Sequence, residues 1–170
     1  MPQAENYPLL KKAREMYYKA TEEEEHLKEA QELFTQLKSE DASLAGLAET
    51  YLGSLKMLEG KYAFWPNKKL SLVNEGFDIM EAGIKKSPRN IEALFIYGTT
   101  CYYLPFFLGK SDEAEAALKR ILFLLRNNAA TGYDPELVVN AMKFIRENIE
   151  LDNKEIRLSD KLIDKYSDKQ

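Results

Sequence analysis

Few residues in this sequence have the types and spacing that a reaction needs. The stretch Gly109-Lys110-Ser111 offers the glycine, lysine and hydroxyl of a phosphate-binding loop, in which backbone amides and the lysine hold phosphate oxygens. Such a loop also needs a glycine five positions before Gly109, where this chain has Leu104. The acidic side chains at positions 112, 113 and 115 would repel phosphate and suit the positive end of a helix dipole. We therefore predict that this stretch caps a helix and binds no nucleotide.

The other candidates for chemistry are the single histidine and the single cysteine. His26 lies in an acidic stretch between Glu22 and Glu29, and no second ligand stands at a spacing that a metal site would use. Cys101 takes a packing position in a helical pattern, so we expect a small buried side chain and not a nucleophile. The sequence predicts no catalytic residue, no metal and no cofactor, and an enzyme ranks last among the classes considered.

Composition and charge narrow the class further. A length of 170 residues suits a single domain, and 45% apolar with 31% charged residues is typical of a globular protein. The net charge of −4 argues against a general nucleic-acid binder. The sequence shows no signal peptide and no apolar stretch long enough for a membrane span. We expect a cytoplasmic protein, or a periplasmic one if a signal peptide has been removed.

Helix signals cover the chain and strand signals are absent. Thr21 and Glu24 have the spacing of a capping box, and Asp41, Asn90, Ser111 and Asp134 stand where helix N-caps would. The periodicity predicts eight helices, at about 7–20, 22–38, 42–63, 67–86, 91–104, 112–126, 135–149 and 153–166.

One pattern of large, large, small and bulky residues recurs along these helices. It reads Leu44-Leu47-Ala48-Tyr51, Leu94-Tyr97-Gly98-Cys101 and, more loosely, Leu137-Asn140-Ala141-Phe144. The first two are followed by a second helix with Gly76-Met80-Gly83 or Ala114-Leu118-Ile121, and Pro88 ends the first of these helices. The pattern predicts that positions 47, 48, 94, 98, 118 and 121 are buried.

This pattern resembles the tetratricopeptide repeat, although the spacing exceeds the regular repeat of about 34 residues. The resemblance implies an all-α, right-handed superhelix of about four hairpins in one domain, 1–170. The clearest repeats would be 42–90, 91–126 and 134–166, after a degenerate hairpin at 7–38. A narrower likeness, carried by the long second hairpin, is to the tetratricopeptide component associated with some TRAP-type solute transporters of bacteria.

The resemblance also implies a concave binding face, built from fixed positions on the first helix of each repeat. The lysines and asparagines that clamp a peptide carboxylate in some members are missing there, so we expect an apolar peptide, a helix or a small hydrophobic ligand. A helix of the same chain could equally fill the groove. Phe95 and Tyr102 would be the aromatic anchors of an open groove. The predicted groove residues are Glu49, Leu52, Phe95, Thr99, Tyr102, Met142 and Ile145.

The repeated glycines and a group of aromatic residues can each be interpreted in more than one way. Glycines recur every seven residues at 46, 53 and 60 and again at 76 and 83, which indicates either close helix packing or a seam with room for a ligand. Tyr62, Phe64 and Trp65, with lysines nearby, lie at the tip of the longest predicted hairpin, where they could form a protein interface, meet a membrane surface or fold back on the adjacent hairpin.

These observations favour a non-catalytic scaffold or adaptor that binds a protein or peptide. A carrier of a small hydrophobic ligand, such as a transporter-associated helper, is the alternative. A homo-oligomer is possible, and nucleic acid is not expected.

Overall fold

Helices account for nearly all of the chain that the structure describes. The computed structural model describes residues 7–126 and 132–167, and within these ranges it contains eight α-helices, two short 3-10 helices and no strand. The α-helices are α1 (Pro8–Glu22), α2 (Leu27–Glu40), α3 (Ala45–Tyr62), α4 (Pro66–Lys86), α5 (Ile91–Tyr103), α6 (Ser111–Arg126), α7 (Pro135–Asn148) and α8 (Asn153–Ser167). The 3-10 helices are Glu24–His26 and Phe106–Leu108. The all-α prediction is confirmed. Seven helices lie within three residues of their expected bounds, whereas α2 begins five residues later than predicted because a 3-10 helix precedes it.

The helices pack largely as sequential pairs, in two compact units that divide between Tyr97 and Gly98. In the first unit α1 packs on α2, α2 on α3 and α3 on α4. In the second unit α7 packs on α8, and α6 contacts both. The superhelix and the single domain stay predictions. No described helix combines the length and the apolar composition that crossing a bilayer would require.

Local capping signals explain several helix starts. The Asn90 side chain accepts a hydrogen bond of 2.9 Å from the amide of Ala93, and the Asp134 side chain accepts one of 2.8 Å from Glu136. Both N-cap predictions are confirmed. Ser111 is instead the first residue of α6 itself, one position later than a cap.

The predicted capping box at Thr21 is wrong. The Thr21 hydroxyl donates to the carbonyl of Tyr18 at 2.6 Å, and α1 continues through Glu22. A capping box forms at α8, where it was not predicted. Asp152 accepts a hydrogen bond of 2.8 Å from the amide of Glu155, and the Glu155 carboxylate accepts one of 2.9 Å from the amide of Asp152.

The glycines of α3 and α4 face each other across a seam in which the two backbones touch. A Cβ atom added to Gly53 would lie 2.5 Å from the carbonyl oxygen of Gly76, and one added to Gly76 would lie 2.5 Å from that of Gly53. A Cβ on Gly83 would likewise lie 2.7 Å from the oxygen of Gly46. Because the helices are antiparallel and both repeat glycine every seventh residue, successive pairs stay in register. The seam is filled by backbone, which selects close packing over a ligand channel.

A similar close approach occurs in the second unit. A Cβ added to Gly98 would lie 2.6 Å from Cγ of Leu118, so the small residue of α5 accommodates a large residue of α6. The predicted core positions are all buried, which confirms the packing pattern: Leu47, Ala48, Leu94, Gly98, Leu118 and Ile121.

We expect Gly53→Ala to lower the free energy of unfolding by about 1–3 kcal/mol, as overpacking typically does, despite the better helix propensity of alanine. The methyl group would meet backbone atoms of α4, so the helices would have to move apart. Urea denaturation followed by circular dichroism measures the change. Gly60→Ala is the matched control, since its nearest foreign atom would lie 3.1 Å away. Equal effects of the two changes would contradict the role of the seam.

Candidate functional site

The first unit contains a buried ionic cluster that joins three helices. Arg14 of α1 donates to both carboxylate oxygens of Glu92, at the start of α5, and its Nε–Oε1 distance is 2.6 Å. The hydroxyl of Tyr51, in α3, donates to the same carboxylate at 2.8 Å. Glu92 and Tyr51 are almost completely buried. The cluster thus combines an acid, a base and a phenol, which are residue types that also serve in catalysis.

The electrostatics of this cluster indicate a structural role. Burial raises the pKa of Tyr51 well above its ordinary value, and the neighbouring Glu92 charge raises it further. Burial opposes the charge of Arg14, but the hydrogen bond and charge of Glu92 outweigh that penalty and raise the pKa of Arg14. Tyr51 therefore stays a neutral donor and Arg14 stays charged. Arg14 and Tyr51 both donate hydrogen bonds to the Glu92 carboxylate, which is the kind of partner that a buried charge requires.

Aromatic contacts fix Tyr51 in place. Its ring stacks on Phe34 with centroids 4.3 Å apart and meets the edge of Tyr17 at 4.8 Å. Tyr17 shares a hydrogen bond of 2.8 Å with the hydroxyl of Ser54. These rings lock the phenol against Glu92.

Glu49, a predicted groove residue, forms a second ionic cluster in this unit. Only 6% of the residue is exposed, and its Oε1 atom lies 2.6 Å from the Nζ atoms of both Lys38 and Lys86. Burial disfavours the charged carboxylate, but the hydrogen bonds and charges of the two lysines outweigh that effect and hold the pKa of Glu49 below its ordinary value. Glu49 therefore ties α2, α3 and α4 together through Oε1. Its other oxygen, Oε2, is buried without a hydrogen-bond partner among the described residues, so it is shielded from solvent and does not face an open groove.

The remaining groove residues differ widely in exposure. Met142 and Ile145 are 0% exposed in α7, so they are core residues of the second unit and line no open groove. Leu52 and Phe95 in the first unit, and Thr99 in the second, are half-buried.

Tyr102 is exposed, and its hydroxyl donates to the side chain of Asn148 at 3.1 Å. Of the two predicted anchors, Tyr102 alone is exposed.

The second unit carries a set of aromatic side chains, exposed except for the half-buried Phe144, of which the sequence predicted only Tyr102 as a binding residue. Tyr102, Tyr103 and Phe144 lie in ring contact, with centroids 5.3 Å apart for Tyr102 with Tyr103 and for Tyr102 with Phe144. Phe106 and Phe107 form a second pair at 6.1 Å, and Phe106 is 87% exposed. We call these five residues the aromatic surface.

Pro105 is the feature of the sequence that could have predicted this surface. A proline ends α5, and the chain then makes a 3-10 turn closed by Gly109 at φ 65°. The apolar residues of the segment therefore leave the helical periodicity that would have buried them.

The three aromatic residues at the turn from α3 to α4, namely Tyr62, Phe64 and Trp65, differ in their environments. Tyr62 folds back on α1, where its hydroxyl donates to the carbonyl of Ala20 at 3.0 Å. Phe64 and Trp65 are instead exposed by 84% and 67%. Their rings meet edge to face at 5.1 Å. The folding-back alternative thus holds for Tyr62, while Phe64 and Trp65 remain available to a partner.

The first unit also has a polar cleft and a small acidic cluster, and neither resembles a site for an apolar ligand. A cleft of about 490 Å³ is lined mainly by charged side chains, namely Lys12, Glu25, Lys28, Glu29, Glu32, Leu33 and Gln36. Possible ligand atoms of Glu23, Glu25 and His26 lie within 4.8 Å of one another, but both glutamates are exposed. Such acidic groups are common without an ion, and the absence of a metal stays a prediction.

We expect the stability that Glu49 provides to be lost in acid. The folded carboxyl keeps its charge below the usual glutamate pKa of about 4.3, so the unfolded chain binds more protons and stability falls as the pH drops from there through the folded pKa. Glu49→Gln should remove this part of the pH dependence in urea titrations between about pH 6 and pH 3. Glu22→Gln, at an exposed position, is the control. A constant difference between wild type and Glu49→Gln across that range would refute the expectation.

Comparisons with known proteins add no relative. A scan against protein-family models found no match, and searches of curated proteins and of solved structures also found none. The resemblance to the tetratricopeptide repeat therefore stays a prediction that depends on the residue pattern.

Proposed function

We propose that this chain is a non-catalytic helical binding module that holds a protein or peptide partner, as a scaffold or adaptor. The observation that carries the proposal is the aromatic surface of the second unit. Tyr103, Phe106 and Phe107 are each more than 70% exposed, although they are among the largest apolar side chains in the chain.

Physical chemistry supports a partner at this surface. Large apolar patches on a protein surface commonly mark interaction sites, and buried aromatic side chains supply much of the binding energy at interfaces. The hydroxyl of Tyr102, which donates to the side-chain oxygen of Asn148, adds polar atoms beside these rings. A partner with apolar side chains along a helix or an extended strand would match this chemistry.

The finer part of the proposal concerns architecture. The helical pairs would belong to a right-handed superhelix of the tetratricopeptide type, with a concave face that includes Tyr102. The buried Met142 and Ile145 would then support that face from beneath and would not contact the partner.

The carrier alternative has less support. A carrier for a small hydrophobic ligand needs a largely apolar pocket, whereas the described cleft is lined by charged side chains. Binding of a fluorescent fatty-acid analogue in an internal site, unaffected by changes in the aromatic surface, would favour the carrier.

The proposal predicts that Tyr103→Ser/Phe106→Ser/Phe107→Ser weakens partner binding by about 30-fold or more, since one interface hot spot typically contributes at least that factor. Partners captured from native cells by the wild type would be purified and titrated by calorimetry. The control is Phe64→Ser/Trp65→Ser, which removes exposed rings from the first unit. The proposal fails if the triple variant, with an unchanged helical spectrum, binds the purified partner as tightly as the wild type.

A further inference from the structure

The longest run of exposed residues in the first unit covers the end of the turn between α3 and α4 and the first residues of α4. All residues from 64 to 71 are exposed, and they include Phe64, Trp65 and Leu70. We call residues 61–71 the hairpin tip. Two adjacent aromatic rings therefore stand in solvent at the turn of a helical hairpin.

The tip also concentrates positive charge in a chain of net charge −4. Lys61, Lys68 and Lys69 lie on it, and no acidic residue occurs between positions 60 and 74. The Nζ atom of Lys61 donates to the carbonyl of Thr21 at 2.8 Å, and that of Lys69 donates to the carbonyl of Lys61 at 3.4 Å. Among the described residues no carboxylate forms an ion pair with these lysines, so their charges are not neutralised locally.

The base of the tip is held in place before any partner arrives. Tyr62 is hydrogen-bonded to α1, and Pro66 opens α4. A Cβ on Gly60 would lie 3.1 Å from the carbonyl of Lys69, so the two helices remain close up to the tip. A preformed tip loses little conformational entropy when it binds.

We propose that the hairpin tip docks the protein onto the surface of an anionic lipid bilayer. Phe64 and Trp65 enter the headgroup region, where tryptophan and other amphipathic rings are enriched, and the three lysines contact lipid phosphates. The exposure of both rings favours a bilayer over an acidic peptide, because peptide recognition commonly uses a concave pocket whereas a bilayer interface deforms around a protruding side chain. This inference concerns the first unit and does not depend on the aromatic surface.

Trp65 makes the proposal directly measurable, because it is the only tryptophan in the chain. Wild-type protein would be mixed at low ionic strength with vesicles of phosphatidylcholine and phosphatidylglycerol at a ratio of 3:1, and with vesicles of phosphatidylcholine alone. We expect the anionic vesicles to shift the tryptophan emission to the blue, protect it from iodide and sediment with the protein. Rising salt should reverse all three effects, as screening requires.

The variants separate the tip from general charge effects. Lys61→Gln/Lys68→Gln/Lys69→Gln should weaken vesicle binding by about 100-fold, or about fivefold for each lysine. Lys154→Gln/Lys161→Gln/Lys165→Gln, which changes the net charge equally on α8, should bind as wild type. Phe64→Ser/Trp65→Ser should lose cosedimentation, and Phe106→Ser/Phe107→Ser should keep it.

Three results would overturn the proposal. The first is no blue shift and no cosedimentation of the wild type with anionic vesicles at low salt. The second is equal loss of binding in the α8 lysine variant or the Phe106/Phe107 variant. The third is a blue shift with a polyglutamate peptide but not with vesicles, which would assign the tip to an acidic protein partner.

Discussion

Direct backbone contact between α3 and α4 is the constraint on which the first unit depends. Each glycine in the middle of a helix costs about 1 kcal/mol relative to alanine, so the seam is unfavourable for either helix alone. The contact between Gly53 and Gly76 becomes favourable because two backbones can then pack at close range along several turns. The close approach leaves α3 buried around most of its circumference, which places Tyr51 and Glu49 inside the protein.

The ionic clusters follow from this burial. Since α3 is covered on most sides, a charged or phenolic side chain on it is costly to bury unless other helices supply partners. Glu92 supplies one for Tyr51, and Lys38 and Lys86 supply charges for Glu49. Glycine packing and buried charge are therefore linked. Close packing of α3 and α4 excludes water, and the buried charges then need partners from the protein.

The sequence predicted those parts of the fold that local signals determine. Helix positions, the caps at Asn90 and Asp134 and the glycine register all depend on residues close in the chain. The capping box at Thr21 failed because a threonine hydroxyl can also donate to a carbonyl of its own helix, and spacing does not distinguish the two. The pair of Arg14 and Glu92 spans 78 residues, so no local pattern could indicate it. The exposure of site residues was equally hidden, since Met142 and Phe106 are both large and apolar and differ in which neighbours cover them.

The long separation of Arg14 from Glu92 also matters while the protein is being made. Ribosomes add about 5–20 residues per second, so Arg14 precedes its carboxylate partner by about 4–16 s. During that interval α1 to α4 can form their hairpins, but the cationic side chain of α1 must remain hydrated. The nascent first unit thus stays incomplete at its ionic centre until α5 emerges, and synthesis of this one helix determines when the N-terminal half of the protein can close.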